Sequence, residues 1–526
     1  MNNEPRQRAW TRRQLLLGGA GALTAAGARR LLAQPRFSDN PFALGVASGD
    51  PADTSVVLWT RLCQRPLDGG GMPAEDVTVR YRVATDERMA NVVIDDTFTA
   101  MPELAHSVHA IASGLSPGTH YWFQFSAGNE ESAIGRTKTL PASGTSVSHL
   151  DFAYTSCQNY EQGYYTPYRF MAEEDLDLVI HLGDYIYEYG PTPLAEGRIV
   201  RQHNSDEVFS LAGYRDRYAL YKTDRDLQAA HAACPWLVSW DDHEVNNNWA
   251  SDTPQHPDRT TRAEFLVRRL AATQAYYEHM PLRHFPVPGG GGAGLDLRLY
   301  GRYGFGDLAD IHLLDTRQYR SDQVCDVSEY VSPDCAARHD VGRTMTGSNQ
   351  QAWLLDGLER PRAAWNVIAQ QVWFGRYAFT TGAVPELNRD AWDGYPAERQ
   401  RIVDRAADNP SLNPVVLSGD WHNFCVRDIG QNPEDPTSQA VMTEFAGTSL
   451  SSATGRTEKI QASLADNPQV RFFDGDHRGY VRCRIEPDAF RADLQFLSSP
   501  FDPTGATMRT GASYVVESGR PGAQRA

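Results

Sequence analysis

The chain has 526 residues and a formal net charge of −16. Its length exceeds the roughly 250–300 residues at which a single hydrophobic core stops growing, so two or more folded units are expected. The acidic balance argues against nucleic acid or an anionic membrane as a non-specific partner, and an anionic substrate would need local positive charge, such as a metal supplies.

In chain order, the first segment reads as an export signal. Thr11-Arg12-Arg13-Gln14 precedes Leu15-Leu16-Leu17, and a Gly/Ala/Leu stretch runs on to Ala28. A charged region, a short apolar region and small residues are the parts of a signal peptide. The paired arginines ahead of the leucines resemble a Tat signal, so residues 1–33 are expected to be removed, after Ala28 or Ala33. No later run reaches the roughly 18 apolar residues that span a bilayer, so no stable membrane anchor is expected.

Residues 36–140 read as all-β. Val56-Val-Leu-Trp-Thr60, Val77-Thr-Val-Arg-Tyr-Arg-Val83 and Tyr121-Trp-Phe-Gln-Phe125 are short β-branched or aromatic runs separated by turn residues. Such spacing predicts a small β-sandwich, and the stretch 115–122 resembles a fibronectin-like turn and strand. Residues 141–146 are then a linker.

From 150 onward apolar strands alternate with helical stretches, which predicts an α/β layered unit over 150–515. Helices are expected at 164–174, 210–221, 262–278 and 350–358, the last capped by Ser348. The glycines at 289–292 form a loop tip. The basic-aromatic stretch 214–222 is read as a helix packing Tyr214, Tyr218 and Tyr221 inward, rather than as a phosphate contact. The seven cysteines are too loosely spaced for a disulfide scaffold. Cys325 and Cys335 are the best candidate bridge, with two free thiols as the alternative.

The chemistry gathers at strand ends. The run 176–182 stops at Gly183 and is followed by Asp184, Tyr185 and Tyr187. Four more apolar runs end alike: 152–156 at Cys157, 235–240 at Asp241-Asp242-His243-Glu244, 365–369 at Gln370-Gln371, and 414–418 at Gly419-Asp420-Trp421-His422. As neighbours in one sheet they would converge on its carboxyl edge, where ligands bind in open α/β sheets. Carboxylates, phenols, an imidazole and a thiol are expensive to bury together without a cation. Thiolate, imidazole and phenolate favour a transition metal, and carboxylates favour calcium or magnesium. That split suggests a mixed centre bridged by Asp184.

The order Gly-Asp-x-x-Tyr, then His-Glu, then Gly-x-x-His resembles metallophosphoesterases of the purple acid phosphatase type. Cys157, Asp242 and Asp420 stand where that pattern has other residues. Together with Trp240-Asp-Asp-His-Glu244 and Asn246-Asn247, they make the chain resemble PhoD-type alkaline phosphatases over almost its whole length. The resemblance implies an N-terminal β-sandwich and a four-layer α/β domain of β-sheets flanked by helices. It implies one ferric iron held by Cys157, Asp184, Tyr187 and His422. It also implies one or two calcium ions faced by Asp184, Asp242 and Asp420, with Gln371 as a further carried-over ligand. It implies hydrolysis of phosphate monoesters and diesters by metal-activated hydroxide, with a phospholipase D-like or teichoic-acid phosphodiesterase as the alternative. A surface-binding protein with an inert second unit would instead lack ligands at the strand ends. His243 is expected to serve the leaving group as general acid, oriented by Glu244. The expected partners are a phosphate-ester substrate and the Tat export machinery, and the expected product is a periplasmic or extracellular monomer.

Overall fold

The computed structural model describes residues 36–193, 198–288, 295–325, 330–379 and 385–526. The expected signal segment 1–33 and the glycine loop tip at 289–292 lie outside these residues.

Two large sheets dominate. One has ten strands and the other seven. In the first, strands Leu150–Thr155, Leu178–His181 and Trp236–Val238 are parallel neighbours. In the second, Ala309–Leu313, Trp365–Ala369 and Pro414–Ser418 are parallel neighbours. The ligand-bearing strands are therefore not all neighbours in one sheet, the condition under which they would converge on one edge, but divide between two.

The reason lies in the side-chain alternation along each strand. Phe152, Tyr154, Leu178, Ile180 and Leu237 point one way, and Val367, Ala369, Val415 and Leu417 meet them in one core between the sheets. The alternate residues Ala153, Val179, Trp236 and Val238 face outward into a second core. Ile368 and Val416 do the same on the other sheet. Apolar residues on both faces demand cover on both faces. Helices Thr166–Glu173, Leu211–Lys222, Arg225–Ala233 and Arg262–His279 supply residues to the core outside the ten-stranded sheet. Gly347–Glu359 and Pro396–Asp408 supply the other. The result is four layers, helix, sheet, sheet and helix.

The expected helices form with shifts of a few residues at their ends. Ser210 caps its helix by accepting from Gly213 N, and Thr261 with Glu264 makes a capping box. Ser348 does not cap: it lies inside the helix, whose first flanking residue is Thr346. Tyr214, Tyr218 and Tyr221 are fully buried, as their spacing predicts. Helices Arg225–Ala233 and Pro396–Asp408 are not anticipated from the sequence.

Near the N-terminus, strands Val46–Gly49, Ser55–Arg61 and Ser107–Ser113 face a sheet built on Val77–Ala84 and His120–Ala127. Val56, Leu58, Val79, Val83 and Phe123 fill the space between. This is not a self-contained pair of sheets. Gly49 pairs in parallel with Trp236, so the first three strands continue the ten-stranded sheet. Cys325 and Cys335 are disulfide-bonded, with Cα atoms 6.2 Å apart.

Two glycines let the strand ends approach one another. Gly183 has φ of 104°, and a Cβ there would lie 2.4 Å from Asp241 N. A Cβ on Gly419 would lie 2.3 Å from Ser156 Oγ, so this glycine lets the seven-stranded sheet touch the end of Leu150–Thr155. Gly183→Ala is expected to destabilise the protein by about 3 kcal/mol or more, through the clash and the backbone strain together. Equilibrium denaturation measures it, and a midpoint equal to that of the parent protein would show that the Asp241 segment yields.

Candidate metal centre and active site

Three of the five predicted strand ends, those at Cys157, Asp184 and Asp420, deliver their polar residues through the same local device. Cys157, Asp184, Asp420 and His422 all have left-handed backbone, with φ of 57°, 55°, 65° and 58°. Non-glycine residues in this region are uncommon, and several at one place mark a site whose surroundings over-determine them. The turns are cross-braced. Cys157 N donates to Gly183 O at 3.0 Å, and Gln158 N to Asp184 O at 3.0 Å. In the other sheet Gly419 N donates to Gln371 O at 2.7 Å.

The ligand atoms converge in three overlapping groups. Cys157, Asp184 and His422 form one, Asp184, Asp242 and His243 the next, and Asp241, Asp242 and Asp420 the third. Within each, the donor atoms lie within 4.8 Å of one another. Asp184 belongs to the first two groups and Asp242 to the last two, so the set is continuous from the thiol to Asp420. Tyr187 joins the first group: its hydroxyl donates to Asp184 Oδ2 at 3.0 Å and lies 3.3 Å from His422 Nε2. Ser452 fastens this corner by donating to Cys157 O at 2.6 Å while lying 2.9 Å from the Tyr187 hydroxyl.

The environment fits cations. Burial and the neighbouring Asp184 carboxylate push the Cys157 thiol well above its ordinary value. Burial, with Asp242 and Asp241 beside it, does the same to Asp184. Burial and Asp242 lift Asp241 to about 7 even though Arg317 opposes them. Asp241 Oδ2 and Asp242 Oδ1 are buried and lack a hydrogen-bond partner. A bound cation would satisfy these atoms and favour the ionised carboxylates and thiolate. His422 is already in ligand form. Burial drops its pKa to about 3, and its Nδ1–H donates to Ala453 O at 2.7 Å, which leaves the Nε2 lone pair toward Tyr187 and the thiol.

Gln371 is the exception among the carried-over ligands. Its Oε1 accepts from Thr316 N at 3.1 Å and Thr316 Oγ1 at 2.6 Å, while Nε2 donates to Leu314 O. Both lone pairs of the amide oxygen are taken, so Gln371 braces the adjacent strand end and is not supported as a ligand.

Glu244 also takes a different part from the one expected. Its carboxylate accepts from the backbone N–H of Asp184 at 3.2 Å, Tyr185 at 2.6 Å and Asp241 at 2.9 Å. It ties the Asp184 turn to the Asp241 turn. The residue that orients His243 is Glu188, whose Oε2 lies 2.7 Å from Nδ1. The other Glu188 oxygen accepts from Asn247 N at 2.8 Å. His243 lies flat on Tyr187, ring centroids 4.2 Å apart, and its side chain keeps 12% exposure. Burial works against its charge, but Asp242, Glu188 and Asp184 outweigh burial and raise its pKa well above the ordinary histidine value.

Two further residues escaped the sequence reading. Asp241 belongs to the third group, although only its neighbour Asp242 was singled out. Fully buried Arg317 donates through Nε to Asp241 Oδ1 and through Nη1 to Asp390 Oδ2 at 2.7 Å. Arg317 follows strand Ala309–Leu313 through Leu314-Asp315-Thr316. This is the same strand-then-polar pattern as the others, so a signal for it was present.

Two substitutions separate these roles. In Glu188→Gln the His243 pKa is expected to fall, because a negative neighbour is lost, and NMR titration of the metal-free protein reads it. Glu244→Gln is expected to lower stability by about 1–3 kcal/mol, since its amide group cannot accept all three backbone hydrogens.

Comparison with known proteins identifies the family. The model for "PhoD-like phosphatase" matches residues 152–494, and that for "PhoD-like phosphatase, N-terminal domain" matches residues 26–141. Alkaline phosphatase D of Bacillus subtilis (strain 168) is 45% identical over 505 residues, covering 95% of this chain and 85% of that protein. A solved structure described as "Structure of PhoD" superposes with a TM-score of 0.87 at 46% identity, covering 93% of both chains. The chain belongs to the PhoD-like phosphatase family and is a hydrolase.

Proposed function

We propose that the protein is an exported, metal-dependent phosphoesterase that hydrolyses phosphate monoesters and diesters at the centre around Asp184. The observation that carries this reading is the continuous set of donors from Cys157 to Asp420, with a partly exposed imidazole at its margin. Cys157, Asp184, Tyr187 and His422 would hold a ferric iron. Asp184, Asp242 and Asp420, with Asp241 added, would hold calcium. The thiolate-phenolate-imidazole corner suits the first, and the all-carboxylate corner suits the second. When bound, such cations supply Lewis acidity toward phosphoryl oxygens and lower the pKa of water.

The chain's own residues do the rest. Water loses one proton to solvent and adds its oxygen to phosphorus as the bond to the leaving oxygen breaks, and that leaving oxygen needs a proton. His243 can give it from Nε2, because Nδ1 is committed to Glu188, whose carboxylate stays beside the ring. Tyr187 stacks on the ring and fixes its plane. Arg317 keeps Asp241 and Asp390 in place beneath the all-carboxylate corner.

The organisation belongs to the same proposal: a Tat signal over 1–33, an N-terminal β unit over 36–140 that shares the ten-stranded sheet with the catalytic unit, and a catalytic unit from 150 that runs past 515 to take in strands Met508–Glu517 and Arg520–Arg525, acting outside the cytoplasm as a monomer. No helix among the described residues is long and apolar enough to cross a membrane. The disulfide Cys325–Cys335 favours an oxidising compartment.

Elemental analysis of protein from the exporting host is expected to find about one iron per chain, with calcium accompanying it. Asp184→Ala is expected to lose both metals and at least about 1,000-fold in turnover of p-nitrophenyl phosphate, and retained hydrolysis would overturn the site. His243→Ala is expected to lose about 100-fold or more on alkyl esters and less on p-nitrophenyl esters, whose leaving group needs no proton. Comparing p-nitrophenyl phosphate with its bis ester reads the monoester or diester preference.

A further inference from the structure

Three tyrosines follow the Asp184 turn, and their environments differ. Tyr185 and Tyr187 are buried at 1% and 4% exposure, whereas Tyr189 is 40% exposed. Tyr185 is occupied as structure, its hydroxyl 2.8 Å from His231 Nε2. Tyr187 is occupied at the centre. Tyr189 has neither task, yet its ring stands edge-on to His243, centroids 5.2 Å apart and planes at 68°.

The backbone that presents this ring is unusually well held. Arg217 is fully buried and donates through Nη1 to Tyr187 O and to Tyr189 O, the latter at 2.6 Å. Through Nη2 it also reaches Ser205 O and Asp206 O at 3.1 and 3.2 Å. On the residue between the two carbonyls, Glu188 is fully buried and bound to His243 and Asn247. The Glu188 carbonyl is no freer, since Val208 N donates to Glu188 O at 2.9 Å. An aromatic ring held on fixed backbone, open to solvent and touching the proton donor, is a surface for something that arrives.

We propose that Tyr189 is a specificity residue that stacks on the organic part of the leaving group, and that it favours phosphate esters whose alcohol carries a planar ring close to the ester oxygen. The inference rests on the assignment of His243 to the leaving-group side. A leaving group on the His243 side of the centre lies beside that ring, and the exposed Tyr189 ring stands edge-on to it. An aryl ester places its ring there. A short alkyl ester puts nothing there to stack.

The test compares the parent protein with Tyr189→Ala, Tyr189→Leu and Tyr189→Phe, all metal-loaded, on phenyl phosphate and glycerol 2-phosphate with phosphate release as readout. The ratio of kcat/KM for the aryl ester over the alkyl ester is expected to fall about 5–10-fold in the alanine and leucine variants, mainly through KM, and to be kept by phenylalanine. Competitive inhibition by phenylphosphonate against methylphosphonate should show the same selective weakening without turnover. Equal losses on both esters would assign Tyr189 a structural role and overturn the proposal, as would an unchanged ratio. If the parent protein hydrolyses both esters but His243→Ala loses no more on glycerol 2-phosphate than on phenyl phosphate, the leaving-group assignment fails first. If the parent hydrolyses neither, the phosphoesterase reading itself falls.

Discussion

Negative charge crowded into a small buried rim is the constraint on which the rest of this structure turns. Asp184, Asp241, Asp242 and Asp420 lie within overlapping groups whose donor atoms are under 4.8 Å apart. At about 4 Å and an effective dielectric near 20, two like charges repel by about 4 kcal/mol. Arg317 offsets part of this at Asp241, and His243 part of it at Asp242. Burial still pushes Asp184 and Asp420 well above the ordinary carboxylate range. A fold that gains nothing from such a cluster would not assemble it from three separate chain segments, and cations are the partners that turn repulsion into binding.

The architecture serves this rim. Each segment that reaches it leaves a strand buried on both faces, so its position is fixed by the cores on either side. The turns themselves are strained, with left-handed backbone at Cys157, Asp184, Asp420 and His422. Strain of order 1–3 kcal/mol at each is sustained only because neighbouring segments hold the turns from outside. Glu244 does this for the Asp184 and Asp241 turns, and Gln371 holds the Thr316 segment next to Arg317.

The margin of the rim has a different character. His243 is oriented by Glu188, faced by Tyr187 and bordered by Tyr189. Carboxylate, two aromatics and imidazole come from two neighbouring strand ends, within the 184–189 and 241–247 segments. Buried Arg217 locks the first of these from beneath through the carbonyls of Tyr187 and Tyr189. Charge is thus concentrated at the centre, while exposed aromatic surface lies beside the imidazole at its margin.

Local patterns in the sequence already pointed to these strands and to the polar residues at their ends. Apolar runs ending in Gly-Asp, Ser-Cys or Asp-Asp-His are short-range signals, and period and turn chemistry are local properties. The helix carrying Tyr214, Tyr218 and Tyr221 was legible for the same reason. Partnership was not. That Glu188 rather than Glu244 orients His243, that Gln371 spends its amide on Thr316, and that Asp241 and Arg317 belong to the site depend on which turns meet. Likewise, the division of the ligand strands between two sheets follows from which faces could be covered together. Tertiary structure decided these points because a carboxylate or amide a few residues along the chain has many possible partners, and only packing of distant segments selects one.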